Sequence, residues 1–278
     1  MTTRSRKAET GAHLLLPEVL ARIDNLELLA RTVVDGFLNG LHRSVYLGLS
    51  VDFAEHRPYM PGDDIRLIDW RLFGRTDRHY IKLFEAETNA NFSVLMDVSG
   101  SMSYGSHSVT KLDYARYLAA CLTYFSRRQR DRVGLITFDD DVVDYIPPSA
   151  RNLDLCLLTL ARAKAEGPGE LKRPLLKAVE SLRRKGILVL ISDFYHDPDD
   201  ILDAVRLLRS PGHDVIVFHV LDPAELEFPF TDAANFRDME TMEDLPLIPG
   251  KMRDGYRGLL ADHLAELKDR FTATQVDY

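Results

Sequence analysis

Apolar residues recur at steps of three and four through Val19, Ile23, Leu26, Ala30, Val33 and Phe37, which predicts an amphipathic helix with Gly40 as its C-terminal cap. Strand-like patches follow from Tyr46 to Phe53 and from His79 to Phe84, divided by the turn-rich stretch Pro58-Tyr59-Met60-Pro61-Gly62-Asp63-Asp64. From Phe92 the pattern changes. Phe92-Ser93-Val94-Leu95-Met96 is a short continuous apolar run ending in Asp97, and the form returns from Arg132 to Phe138, Ile187 to Ser192 and Asp214 to Leu221. Such runs predict parallel strands covered on both faces. Helical periods lie between them: Lys111 to Arg127 behind a capping box of Thr110 and Asp113, Leu153 to Lys164, Pro174 to Lys185, and Asp197 to Leu208 with Pro198 at the first helical position. The alternation predicts an α/β fold with a doubly wound, mostly parallel sheet. Asp139-Asp140-Asp141 leads into Val142 to Ile146 too quickly for a parallel return, so this segment is expected as an antiparallel edge strand.

The expected organisation is a disordered polar tail over 1–12, a small helix-plus-strand module over 13–90, and the sheet domain over 91–278. A Pro- and acid-rich excursion at 223–252 interrupts the sheet domain. Tyr256, Leu259, Leu260, His263, Leu264, Leu267 and Phe271 then mark one face of a last helix, and Val276-Asp277-Tyr278 falls where another strand would start. With 43 acidic against 35 basic residues the formal charge is −8, so no global positive field gathers nucleic acid. No apolar run approaches a membrane span, and MTTRSRKAETGA lacks the apolar core of a secretory signal. Cys121 and Cys156 have no paired spacing. The expectation is a cytoplasmic protein with reduced thiols and no membrane or nucleic-acid partner.

In a doubly wound sheet, ligands sit outside the carboxyl ends of the strands where strand order reverses. Asp97-Val98-Ser99-Gly100-Ser101 follows the first such strand and Ser192-Asp193 ends another. Asp-x-Ser-x-Ser puts alternating side chains on one side of a loop, and with Asp193 it supplies the hard oxygen donors that Mg²⁺ prefers. The plainer role for Asp97 and Ser99 is to cap the turn that follows.

Asp97-Val98-Ser99-Gly100-Ser101-Met102 resembles the first segment of the metal-ion-dependent adhesion site of von Willebrand factor type A domains, and Asp193 matches the acidic residue that closes that site. Tyr59-Met60-Pro61-Gly62-Asp63-Asp64-Ile65-Arg66, continuing into Ile68-Asp69-Trp70-Arg71, resembles the signature of the bacterial family named domain of unknown function 58. The resemblance implies a von Willebrand factor A-like sheet behind an N-terminal module. It also implies a MoxR-type AAA+ ATPase as partner, together with a client protein. Asp97, Ser99, Ser101 and Asp193 are then the metal ligands, for Mg²⁺ or Mn²⁺. One position departs from that pattern: Gly169, in Gly167-Pro168-Gly169-Glu170-Leu171, stands where related sequences carry a ligating threonine. The upstream charges Arg57, Asp63, Asp64, Arg66, Asp69 and Arg71 read as an ion-pair network fixing the small module, with the ring of Trp70 buried.

No complete catalytic set is present. The second acid that a haloacid-dehalogenase-type phosphatase needs is replaced by Ser99, and no phosphate-binding loop, nucleophile elbow or zinc spacing occurs. The expected function is a non-enzymatic interaction module. The alternatives are a Mg²⁺-dependent hydrolase with Asp193, Glu170 or Asp139 as base, and a scaffold whose metal site has decayed.

Overall fold

The computed structural model describes residues 25–42, 55–60, 63, 68–83, 90–232, 234–239 and 242–278. The expected tail over 1–12 and the strand-like patch from Tyr46 to Phe53 lie outside these. Two compact units are present, one over Leu38–Thr88 and one that combines the first helix as far as Phe37 with the chain from Asn89 onward. The division thus differs from the sequence expectation, because the first helix packs on the sheet. That helix, α1 (Leu26–His42), buries Ala30 in the same apolar cluster as Phe92 and Val94. It continues through Gly40 rather than ending there.

In the smaller unit β1 (Glu55–Pro58) pairs antiparallel with β2 (Tyr80–Leu83), and α2 (Trp70–Thr76) lies between them in sequence. Asp69 caps α2 by accepting from the amides of Arg71 and Leu72, and Arg57 pairs with Asp63 at 2.7 Å. Trp70 is 61 % exposed, contrary to the expectation that its ring is buried. The reason is that α2 is a seven-residue helix with no buried residue, and the indole only meets the edges of the Phe73 and His79 rings.

The larger unit follows the predicted alternation: β3 (Asn91–Asp97), α3 (Lys111–Arg128), β4 (Arg132–Phe138), β5 (Val142–Ser149), α4 (Leu153–Arg162), α5 (Lys172–Ser181), β6 (Gly186–Ser192), α6 (Pro198–Arg209) and β7 (Asp214–His219). The excursion then forms α7 (Pro223–Glu227) and a hairpin of β8 (Ala234–Arg237) with β9 (Asp244–Leu247), before α8 (Pro249–Ala273). The five-stranded sheet has the order β5-β4-β3-β6-β7, parallel except for β5.

Alternation along each strand fills two opposite cores, as the pleat requires. Val94, Met96, Val133, Leu135, Val189 and Ile191 face one cluster with Ala115 and Ala119 of α3 and Cys156 and Leu160 of α4. Leu95, Ile136, Phe138, Leu188 and Leu190 face the other, with Leu175 of α5, Ile201 of α6, and Leu267 and Phe271 of α8. This is the mostly parallel, doubly wound arrangement expected of a von Willebrand factor A-like domain. In α8 the expected apolar face is only partly used, since Leu259 is 73 % exposed and, of the predicted positions, only Leu267 and Phe271 are buried.

The edge strand β5 breaks register against β4 between Val133, which pairs with Ser149, and Leu135, which pairs with Ile146. Gly134 permits this bulge, because a Cβ there would stand 2.8 Å from the Ile146 carbonyl oxygen and 2.9 Å from the Pro148 nitrogen. In the tight turn before β5, Asp141 accepts from Lys177 at 2.6 Å and from Arg173 at 2.8 Å. The Lys177 hydrogen bond foremost holds its carboxyl down to about 2, below the ordinary 3.8. Because the folded value is depressed, this contribution to stability is present above pH 3.8 and is lost as pH falls through about 2. Lys177→Ala is expected to move the Asp141 carboxyl midpoint upward in an NMR titration, and an unmoved midpoint contradicts the assignment.

Burial raises both thiols, Cys121 and Cys156, to about 12. The thiolate is the reactive form. Iodoacetamide at pH 8 is therefore expected to leave the folded protein unmodified and to alkylate both cysteines in denaturant, as read by mass spectrometry. Rapid modification of the native protein would exclude this packing.

Candidate functional site

The central strand β3 has β4 on one side and β6 on the other, so strand order reverses between β3 and β6. Asp97 closes β3, Ser192 closes β6, and Asp193 follows directly. These residues meet over the C-terminal rim as the sequence predicts. Asp97 Oδ2 accepts from the Ser192 hydroxyl at 2.6 Å, and Oδ1 accepts from the Ser99 amide at 2.9 Å. The Ser99 and Ser101 hydroxyls lie 3.1 Å apart. Asp97, Ser99 and Asp193 are each no more than 2 % exposed, whereas Ser101 is half-buried. Burial raises the Asp97 carboxyl and the nearby Asp193 charge adds to the rise, while the Ser192 and Ser99 hydrogen bonds oppose it.

The backbone after β6 is under constraint. Phe194 has φ +49°, in the left-handed region that non-glycine residues seldom adopt, and its amide donates to the Ser192 hydroxyl. His219 Nε2 lies 2.8 Å from the Asp193 carbonyl oxygen, which can only accept, so Nε2 carries the hydrogen. Nδ1 then accepts from the Tyr278 hydroxyl at 2.9 Å. Burial holds this imidazole down to about 4, in keeping with a neutral ring.

Sequence reasoning missed Lys111. It is the first residue of α3, with a side chain only 2 % exposed, and its ammonium lies 2.7 Å from Asp193 Oδ2 and 2.7 Å from Glu225 Oε1. The Tyr195 ring faces it at 4.8 Å. Glu225 belongs to α7, so the excursion reaches into the rim. A second contact repeats this: a Cβ on Gly100 would stand 2.5 Å from the Met239 carbonyl oxygen, in the turn between β8 and β9.

The remaining acids named by the sequence have other duties. Glu170 accepts from the Arg173 amide at the start of α5, and Asp139 Oδ1 accepts from the Asp141 amide in the turn. Gly169 offers only its carbonyl, 3.4 Å from His196 Nε2.

As they stand, these donors do not fit a divalent ion. Octahedral Mg²⁺ needs several free oxygens at close range. Asp193 Oδ2 is taken by an ammonium, and position 169 has no side chain to ligate. Among the described residues no group of three or more His, Cys, Asp or Glu is placed to hold a metal. The four predicted ligands are thus brought together, but with Asp193 already engaged by a cation of the protein's own.

A family model described as "Protein of unknown function DUF58" matches residues 55–266. The chain is 27 % identical over 258 residues to uncharacterized protein Rv1480 of Mycobacterium tuberculosis, covering 90 % of this chain and 80 % of that protein. Among solved structures it is similar to an aerotolerance-related membrane protein from Bacteroides fragilis, at 18 % identity and a TM-score of 0.44, over 61 % of this chain and 87 % of that one. It is also similar to the VWA domain of SpRpn10, at 14 % identity and a TM-score of 0.36, over 45 % of this chain and 72 % of that one. None of the described helices is long and apolar enough to cross a membrane.

Proposed function

Because this chain belongs to the family described as protein of unknown function DUF58, and its C-terminal rim gathers polar groups at the reversal of strand order, we propose that it is a non-enzymatic protein-interaction module of the cytoplasm. Its contact face is the rim around Asp97, Ser99 and Ser101, flanked by the turn at Met239. The candidate partner is a MoxR-type AAA+ ATPase, with the assembly or maturation of a client complex as the purpose. The observation that carries the reading is the meeting of Asp97, Ser99, Ser101 and Asp193 at the strand-order reversal. Ligands bind there in sheets of this kind.

Each acid that a hydrolase would need as a base is occupied: Asp193 by Lys111, Glu170 by the start of α5, and Asp139 by its turn. That supports binding over turnover. Affinity capture from the native cell is the test, with the unaltered chain beside Ser101→Ala and Asp97→Ala. The expected result is recovery of an AAA+ ATPase by the unaltered chain and reduced recovery by both variants. Equal recovery by all three, or none by any, overturns the proposal, as does phosphatase turnover that depends on Asp97.

A further inference from the structure

We propose that the Lys111 ammonium is the resident cation of this rim, and that it keeps a divalent ion out. The argument begins with charge. A buried carboxylate persists only when paired or neutralised. Asp193 is paired with Lys111 at 2.7 Å inside a side-chain environment 2 % exposed on both sides. Glu225, 14 % exposed, takes the same ammonium at 2.7 Å, and the Tyr195 ring lies along it. A lysine carries three donors and no acceptor. It therefore contributes charge at this position but no ligand atom, and a divalent ion placed against Asp193 would meet a like charge.

Three features make the arrangement fixed rather than incidental. Thr110 and Asp113 form a capping box that sets the first residue of α3 in place. His219 anchors the Asp193 backbone from the other side. Glu225 sits in α7, which has its own capping box of Asp222 and Glu225, so a single carboxyl both caps α7 and holds Lys111. The absence of a side chain hydroxyl at Gly169 agrees with a rim that does not ligate metal.

The exclusion of metal stands apart from the proposed function; only its corollary, that partner capture needs no divalent ion, rests on that reading. The test is calorimetric titration of the chelator-stripped full chain with Mg²⁺ and with Mn²⁺, for the unaltered protein, Lys111→Met, Lys111→Gln and Lys111→Met with Asp97→Asn. The expected result is no saturable heat for the unaltered chain at millimolar metal. At least one single variant is expected to gain at least about tenfold in affinity, equivalent to about 1.4 kcal/mol, and the added Asp97→Asn is expected to remove that gain.

Since removing Lys111 is expected to weaken the fold, thermal midpoints are measured with and without Mn²⁺, and a metal-dependent rise in a single variant counts as the gain. The proposal is overturned if the unaltered chain binds within tenfold of the variants. It is equally overturned if neither single variant shows metal-dependent heat or stabilisation. Partner capture repeated in EDTA separates the two readings. Loss of an otherwise captured ATPase in EDTA overturns the corollary, whereas failure to capture one under any condition bears on the proposed function and leaves the titration to decide the cation.

Discussion

Lys111→Ala is expected to lower the unfolding free energy by about 3–5 kcal/mol, the usual cost of stranding a buried charge by removing one partner of its pair. The side chains of Lys111 and Asp193 are both 2 % exposed, so water cannot rescue the carboxylate that remains. Glu225 is left beside it, and like charges at short range add to the loss. The measurement is the urea midpoint at unchanged slope. Lys111→Met with Asp193→Asn is expected to recover a large part of the loss, because that pair of changes leaves no unpaired charge at 193. Glu225→Gln, at a more exposed position, is expected to cost less than Lys111→Ala. A loss under about 1 kcal/mol for Lys111→Ala would place the ammonium in ordinary surface pairing and remove the basis for a fixed internal cation.

Phe271→Ala is expected to cost about 3–5 kcal/mol, the range for truncating a buried phenylalanine. Phe271 is fully buried among the residues beneath β6 and β7, with its ring 5.1 Å from that of Tyr278. Helix α8 has 25 residues and buries only Pro249, Leu267 and Phe271. Its start is held by Pro249 and by Arg253, which donates to the Phe228 and Phe230 carbonyls, while its packing against the core beneath the sheet rests on the Leu267–Phe271 turn near its end. Limited proteolysis is expected to open new sites within 249–273 in the variant, alongside the lower urea midpoint. Because Tyr278 supports His219, and His219 supports Asp193, loosening this helix is also expected to broaden the NMR signals of the His219 ring. A small loss with an unchanged protease pattern would mean that α8 is held elsewhere.

Much of this arrangement was legible in the sequence. Continuous apolar runs ending in Asp97 and in Ser192-Asp193 announce central parallel strands, and the alternation of helix and strand then brings those ends together. The capping residues Thr110, Asp113 and Asp197 are where the pattern places them. Lys111 was not legible as part of the site, since its partner Glu225 is 114 residues away. One local signal was available: a helix N-terminus disfavours positive charge, and a lysine placed there against local preference points to a tertiary reason. Leu259 and Trp70 mislead for the opposite cause, because periodicity and residue type report a capacity for burial, and neither reports whether anything packs opposite. The hairpin of β8 and β9, four residues a strand with a proline within β9, is too short to announce itself, and Gly100 records its approach to the rim.

The outermost strand β5 ends in Pro147-Pro148-Ser149, beside the bulge accommodated by Gly134. Neither proline has an amide hydrogen to offer. Amides along a strand alternate between its two edges, so of these adjacent prolines one leaves a gap in the row of donors that a foreign chain would meet on the outer flank, and the bulge bends the strand beside it. Amyloid-like stacking of copies through this end of the flank is thereby disfavoured at the backbone, independently of net charge or side-chain solubility.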